Sequence, residues 1–396
     1  MEWHNINVNA RYEVKLLTRS GLFRTFSILA IVGITAALLM NNTSMINRWE
    51  GSWASSALTS LIPFSATYYY TIAQAVILIF LAGTFLKKGQ KLDTTEVLMV
   101  RPMSNSDYIL GKVLGIAEVF IGINLIILLI AGFLNIFVNQ TPFNIFPYIF
   151  YLLTISIPTL IFMLGLSFIA VNIFKNQAVT FIILLGVVGV DIAYLTDKWY
   201  GVLDLTGCAI PTIFSDLMGM ANMTAFLTQR LCYLVIGIGL LLLTIAFVDR
   251  LPERKSSKRI QLYLGLVVVL IGFCIGTIYV FMHNAQTFTR NKYIATFKEY
   301  AFQPTLNTIE NAITVSTNND KLSGEASMKI INNNDTSSAP IVIYLNPGLR
   351  ISEISEAGNG LSFKRDNQVA VVDRVINLVI NIIYSYTLLL VVGNCQ

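Results

Sequence analysis

Long apolar runs alternate with short polar connections over most of the chain. A helix that crosses a bilayer needs about 20 mainly apolar residues. Seven stretches meet this requirement and are predicted to be membrane spans: roughly 22–40, 66–86, 113–138, 148–173, 178–196, 228–248 and 261–282. The pattern predicts an α-helical integral membrane protein.

The composition agrees with that prediction. Hydrophobic residues make up 55% of the 396 residues and charged residues only 12%, whereas soluble domains carry about 25% charged residues. The formal net charge of +5 does not indicate a nucleic acid as partner, because the basic residues flank apolar runs instead of clustering on a soluble face. This high hydrophobic fraction and low charged fraction exclude an ordinary soluble protein.

The basic residues fall in alternate connections. They cluster before the first span and in the connections between the second and third and between the sixth and seventh spans, and Lys175 stands between the fourth and fifth. The intervening connections carry only Arg48, Lys198 and Arg230. By the positive-inside rule, the N-terminus is predicted to be cytoplasmic and the region after the seventh span extracytoplasmic.

Residues 8–20 predict an amphipathic helix at the membrane surface. The segment carries two stripes at a spacing of four residues, one basic and one apolar: Arg11, Lys15 and Arg19, and Val8, Tyr12 and Leu16. Such a helix serves equally well as a lipid anchor or as a contact for a partner.

Two acidic residues, Glu118 and Asp191, lie within predicted spans. A charge inside the membrane is costly, so each is a candidate functional residue. Both lie near the end of a span, which favours a structural role. The semi-apolar connection 197–227 predicts a re-entrant helical hairpin, with a segment lying on the outer leaflet as the alternative.

The composition changes from about His283 onwards. Alternating or β-branched runs are separated by Asn- and Gly-rich turns, which indicates short antiparallel strands. The predicted strands are 307–317, 322–331, 340–346, 350–357 and 368–373. The apolar tail 375–396 is long enough for an eighth span, but its Val, Ile, Tyr and Thr suit a strand as well.

The polar stretch 87–115 has a distinctive order. Asp93-x-x-Glu96 and Ser104-x-x-Asp107 are capping patterns, and Pro102 ends the helix between them. A well-capped connector is one interpretation. The order of an acidic residue, a short apolar helix, Arg101-Pro102, a polar turn and Tyr108-x-x-Gly111-Lys112 also resembles the first cytoplasmic loop of ABC-2 type exporter permeases.

That resemblance implies an interface helix at 1–21, a six-span ABC-2 permease bundle at 22–248, and a basic loop with a seventh span at 249–282. It implies contacts with an ABC ATP-binding subunit, which itself binds ATP and Mg²⁺. The expected ATPase-coupling residues are Glu96, Arg101, Pro102, Tyr108 and Lys112, and the interface helix contributes Arg11, Lys15 and Arg19. The other implied partners are membrane lipid and a second permease half, in a homodimer or heterodimer, within the bacterial cytoplasmic (inner) membrane.

The pattern Leu322-Ser323-Gly324-Glu325-Ala326, followed by Ile343-Tyr344-Leu345-Asn346-Pro347-Gly348-Leu349, resembles the start of the N-terminal β-domain of gluzincin aminopeptidases. Some long bacterial permeases carry such a peptidase behind their membrane part. Residues 283–374 are therefore expected to form a small, partial all-β extracytoplasmic domain, in a chain that looks truncated relative to those fusions.

Two chemical motifs are missing from the sequence. The zinc motif H-E-x-x-H cannot form, because the only histidines are His4 and His283. No phosphate-binding loop G-x-x-x-x-G-K-[ST] is present either. We therefore expect a transporter subunit without its own enzymatic activity, cofactor or metal. The alternatives are a non-catalytic membrane anchor or scaffold and a truncated membrane-bound aminopeptidase-like protein. A secondary transporter is disfavoured, because no internal repeat is evident.

Overall fold

The chain folds into two compact units, Met1–Met282 and His283–Gln396. The computed structural model describes residues 3–42, 60–88, 104–138, 143–210, 212–215, 219–220, 222–248, 255–303, 306–318, 321–331, 338–356, 358–377 and 386–393. The capping pair Asp93 and Glu96 and the predicted coupling residues Arg101 and Pro102 lie outside these residues.

The first unit is helical. Its described helices are α1 (Trp3–Arg19), α2 (Gly21–Asn42), α3 (Leu61–Lys88), α4 (Asn105–Phe137), α5 (Phe146–Tyr151), α6 (Ile157–Phe174), α7 (Gln177–Val190), α8 (Met223–Phe247) and α9 (Lys255–Tyr300), the last of which continues into the second unit. A π-helical segment, Leu152–Ser156, joins α5 to α6, and a second, Asp191–Leu195, follows α7.

Within the described residues, seven helical segments are long and apolar enough to cross a membrane: Gly21–Met40, Leu61–Leu81, Asn105–Phe137, Phe146–Phe174, Gln177–Leu195, Met223–Phe247 and Lys258–Tyr300. Each corresponds to one predicted span. The mostly helical character of the prediction is confirmed, and the length and apolarity of the seven segments suggest a multi-pass membrane protein.

The start of α4 follows its predicted cap. The Ser104 side chain accepts a hydrogen bond from the backbone N–H of Asp107 at 3.1 Å, which satisfies one of the free donors of the first turn. The last helix, α9, is longer than predicted and has 46 residues. Residues 283–300 contain neither Gly nor Pro, so nothing in the sequence ends the helix at the edge of the apolar run.

The prediction of a re-entrant helical hairpin in the connection between α7 and α8 is wrong. Its described residues form a 3-10 turn at Lys198–Gly201 and two short antiparallel strands, β1 (Phe214–Ser215) and β2 (Gly219–Met220), not a helical hairpin. Trp199 and Tyr200 have positive φ angles of 49° and 60°, a conformation that does not continue a right-handed helix.

The second unit contains two antiparallel sheets. Their strands are β3 (Asn307–Asn318), β4 (Lys321–Ile331), β5 (Ser338–Tyr344), β6 (Arg350–Glu356), β7 (Asn359–Gly360), β8 (Phe363–Asp366), β9 (Val369–Asn377) and β10 (Tyr386–Gly393). One sheet has the order β3-β4-β10-β6-β7 and the other β5-β9-β8. A common core of buried apolar side chains includes Ile330, Ile341 and Ile354.

Residues 386–393 of the apolar tail form a strand. β10 pairs with β4 on one side and with β6 on the other, so it occupies the middle of the larger sheet. The alternative of an eighth span does not describe residues 386–393.

Candidate functional site

The closest contact of the N-terminal helix is with the first turns of α4. The side chains that α1 buries recur on one face of the helix: Ile6, Ala10, Glu13 and Leu17. A Cβ atom at Gly115 would lie 2.5 Å from the Ala10 carbonyl oxygen, and a Cβ at Gly111 would lie 2.6 Å from Asn9 Nδ2. The two backbones approach this closely only because both positions on α4 are Gly.

A buried ion pair fixes α1 against α4. Lys112 Nζ lies 2.5 Å from Glu13 Oε1, and the two side chains are 5% and 3% exposed. Asn9 Nδ2 donates a hydrogen bond to the Tyr108 carbonyl oxygen at 2.8 Å. A buried charge whose partner is removed is strongly unfavourable, so the pair opposes any separation of the two helices.

The prediction of a helix over residues 8–20 is confirmed by α1, and the predicted contact of its apolar stripe with the membrane surface stays a prediction. Val8 and Tyr12 are 43% and 50% exposed and do not form the contact with α4. The buried face includes Glu13. The sequence alone gives no sign that Glu13 is buried, because its partner, Lys112, is distant along the chain.

Arg11, Lys15 and Arg19 lie together on the exposed face of α1. The structure therefore brings Lys112 to α1 by direct contact and leaves the three basic side chains of α1 accessible on the other side. Tyr108 is half-buried at the same contact, with Lys112 Nζ 5.3 Å from the centre of its ring. Lys112 and Tyr108 are thus part of the helix contact.

A second buried polar network lies around Arg230 on α8. Arg230 is 2% exposed. Its guanidinium donates to the carbonyl oxygens of Asp204, at 2.5 Å, and Leu205, at 3.0 Å. It also donates to Gln229 Oε1 at 2.7 Å and to Thr159 Oγ1 on α6 at 3.4 Å. The guanidinium therefore ties the connection between α7 and α8 to helices α6 and α8.

Two carboxylates, those of Asp191 and Asp204, also bind backbone N–H groups of this connection. The backbone N–H of Leu205 donates to Asp191 Oδ2 at 3.1 Å. The Asp204 carboxylate accepts from the backbone N–H groups of Thr206, at 2.8 Å, and Ala209, at 2.7 Å. Asp191, predicted to be structural, is 5% exposed. It anchors the backbone that Arg230 also binds.

Sequence reasoning missed Arg230 because its position at a span boundary looks like an ordinary flanking charge. Gly207 is the residue that could have indicated this network. It has a φ of +77°, and a Cβ there would lie 2.9 Å from the Arg230 guanidinium carbon. The sequence motif Gly111-x-x-x-Gly115 is a comparable signal for the α1–α4 contact.

Cys208 lies beside this network, outside the spans. Burial, together with a smaller effect of the nearby Asp204 carboxylate, raises the pKa of its thiol to about 12. A thiol with such a pKa is not a nucleophile at neutral pH. Among the described residues, no group of three or more His, Cys, Asp or Glu side chains is placed to hold a metal ion.

Glu118 is not part of either network. Its side chain is exposed on α4 and lines a cavity of about 350 Å³ between α1 and α4.

A comparison with protein-family models gives no match, and a comparison with curated proteins gives none either. The assignment of function therefore depends on the chain's own residues.

Proposed function

We propose that this chain is the transmembrane permease subunit of an ABC-2 type ATP-driven exporter in the bacterial cytoplasmic membrane. It works with a separate ATP-binding subunit, which holds ATP and Mg²⁺, and with a second permease half. The seven apolar helices support a membrane protein, and the sequence order of residues 93–112 supports the family.

The single observation that carries the proposal is the α1–α4 contact. Helix α4 begins at Asn105, directly after the segment proposed to bind the ATPase, and α1 presents Arg11, Lys15 and Arg19. The buried Glu13–Lys112 pair couples the two helices. A push on either element is therefore transmitted to both.

The mechanism follows from this coupling. Closure of the ATPases on nucleotide pushes the 93–101 segment and α1, and α4 tilts with them. At the other end of the helices, Arg230 binds the backbone of Asp204 and Leu205 and contacts Thr159. Movement of α8 against α6 strains these hydrogen bonds. We therefore expect the outward path to open where the hydrogen bonds of Arg230 break.

The test is purification of the tagged protein in mild detergent, with mass spectrometry of the proteins that remain bound. Three forms are compared: wild type, a variant lacking residues 93–101, and Arg101→Glu. We expect an ATP-binding-cassette protein with wild type and not with the other two. Lys198→Met, which removes a charge at an exposed residue of the connection between α7 and α8, outside the proposed ATPase contacts, is a control for non-specific loss. Equal recovery from all forms would contradict the coupling site, and no ATPase from any form would contradict the permease assignment.

A second candidate function is a membrane-anchored, non-catalytic scaffold. The observation that favours it is the second unit, in which β10 completes the larger sheet and both sheets share a buried core. Such a unit has the means to fold as a binding domain. Partners captured through residues 283–396 with no ATPase among them would favour this function.

A further inference from the structure

Glu118 carries an exposed carboxylate on α4, next to a long apolar stretch of the helix. The rest of α4 beyond it, Val119–Phe137, carries no charged side chain and is about 28 Å long at roughly 1.5 Å per residue. That length matches a hydrocarbon core of about 30 Å. Glu118 then lies at the boundary between the hydrocarbon and the lipid headgroups, which is where a carboxylate on the outside of a span meets headgroups and not acyl chains.

The surroundings of Glu118 form a pocket. The cavity between α1 and α4 has a volume of about 350 Å³ and is lined by apolar side chains except for Asn7 and Glu118. None of the lining residues is basic. Among the described residues, the ion pairs of the structure do not include Glu118. The pocket therefore combines a negative charge with an apolar lining.

An aromatic ring completes the pocket. Trp3 lines the same cavity and is 69% exposed. Indole rings are enriched at the level of the lipid headgroups, and their faces attract cations. A carboxylate and an indole around one apolar cavity are the groups that recognise an ammonium ion on an amphipathic molecule.

We propose that this cavity binds the headgroup of a phosphatidylethanolamine lipid. Its primary ammonium group pairs with the Glu118 carboxylate and lies against the Trp3 ring, and the Asn7 side-chain oxygen accepts a further N–H. The Ile6, Leu114 and Ile121 side chains contact the apolar part of the lipid. An anionic headgroup is disfavoured by the charge of Glu118. The site holds α1 at the membrane surface through a lipid, in addition to the direct contact with α4.

The test is native mass spectrometry of the full-length protein in detergent with an equimolar mixture of phosphatidylethanolamine, phosphatidylcholine and phosphatidylglycerol. We expect wild type to retain phosphatidylethanolamine preferentially. Glu118→Gln keeps the size of the side chain and removes its charge, and should lower the ratio of bound phosphatidylethanolamine to phosphatidylglycerol about fivefold, as for an exposed ion pair. The matched control is Asp197→Asn, which makes the same change at an exposed residue outside the cavity.

A second variant, Trp3→Leu, keeps an apolar side chain and removes the ring, and should weaken retention of phosphatidylethanolamine as well. An unchanged lipid ratio in Glu118→Gln would overturn the proposal. Equal retention of phosphatidylcholine, which has no ammonium N–H, would overturn the assignment to a primary ammonium. Displacement by soluble phosphoethanolamine at the lipid's own concentration would show that a soluble amine, not a lipid, is the occupant. The assay contains no ATPase, so its outcome is independent of the proposed transport function.

Discussion

Removal of one member of the Glu13–Lys112 pair should release α1 from α4. In Lys112→Met the Glu13 carboxylate stays at the contact, where its side chain is 3% exposed in the wild type. The other carboxylate oxygen of Glu13 already has no hydrogen-bond partner among the described residues. Breaking a buried pair from one side costs about 3–5 kcal/mol. We therefore expect Lys112→Met to destabilise the docked position of α1 by an amount in this range.

The double variant Glu13→Leu with Lys112→Met separates charge from packing. Both positions are then apolar, so no unpaired charge remains at the contact. Replacement of a buried ion pair by apolar side chains of similar volume is often neutral or stabilising. If the unpaired charge causes the destabilisation of the single variant, the free energy of docking α1 on α4 in the double variant should lie within about 1 kcal/mol of the wild-type value.

Hydrogen–deuterium exchange of peptides covering Trp3–Arg19 measures this directly, because local opening sets the exchange rate of the helix amides. A loss of about 3 kcal/mol corresponds to exchange faster by about 100-fold. Lys15→Met, at an exposed position of the same helix, should leave the rate unchanged. Wild-type exchange in Lys112→Met would refute the argument, and so would a double variant that exchanges as fast as the single one.

Three further predictions concern other contacts. Gly115→Ala should lower stability by about 1–3 kcal/mol through overpacking, whereas Gly122→Ala on the same helix, where a Cβ meets nothing within 4 Å, should not; equal unfolding midpoints in detergent would contradict this. Arg230→Lys should lose about 1–3 kcal/mol, because an ammonium does not reproduce the planar fork that binds two carbonyl groups; it should speed deuterium exchange in residues 201–210, and wild-type exchange would count against the network. Labelling of Cys208 by iodoacetamide should keep rising as the pH is raised from 8 towards 12, because the thiolate forms only near its raised pKa of about 12; a plateau near pH 9 would show an ordinary thiol.

Hydropathy alone predicted the seven long apolar helices, because a helix in a membrane satisfies its own backbone polar groups and must be apolar along most of its length. The Ser104 cap was predictable for a similar reason, since it depends on residues three positions apart. Each of these features is local in sequence.

The features that the sequence did not reveal depend on distant partners. Glu13 and Lys112 neutralise each other across 99 positions of sequence. Arg230 binds backbone carbonyl groups 25 and 26 positions away. A contact with the backbone leaves no pattern of side chains in the sequence from which it could be predicted. The tail 386–393 became a strand because β4 and β6 offer it two edges, although its composition suits either structure. In the same way, the connection between α7 and α8 follows the Arg230 network and its positive-φ residues, not its apolar periodicity.

Site-specific photo-crosslinking in intact cells tests the permease assignment most directly. A photoreactive residue at Arg101 is compared with one at Tyr194, which is 65% exposed and lies near the opposite end of the predicted spans. The account predicts a crosslink from Arg101, and not from Tyr194, to a protein that carries an ATP-binding cassette. Crosslinks from Arg101 that contain no nucleotide-binding protein, or the same products from both positions, would contradict it.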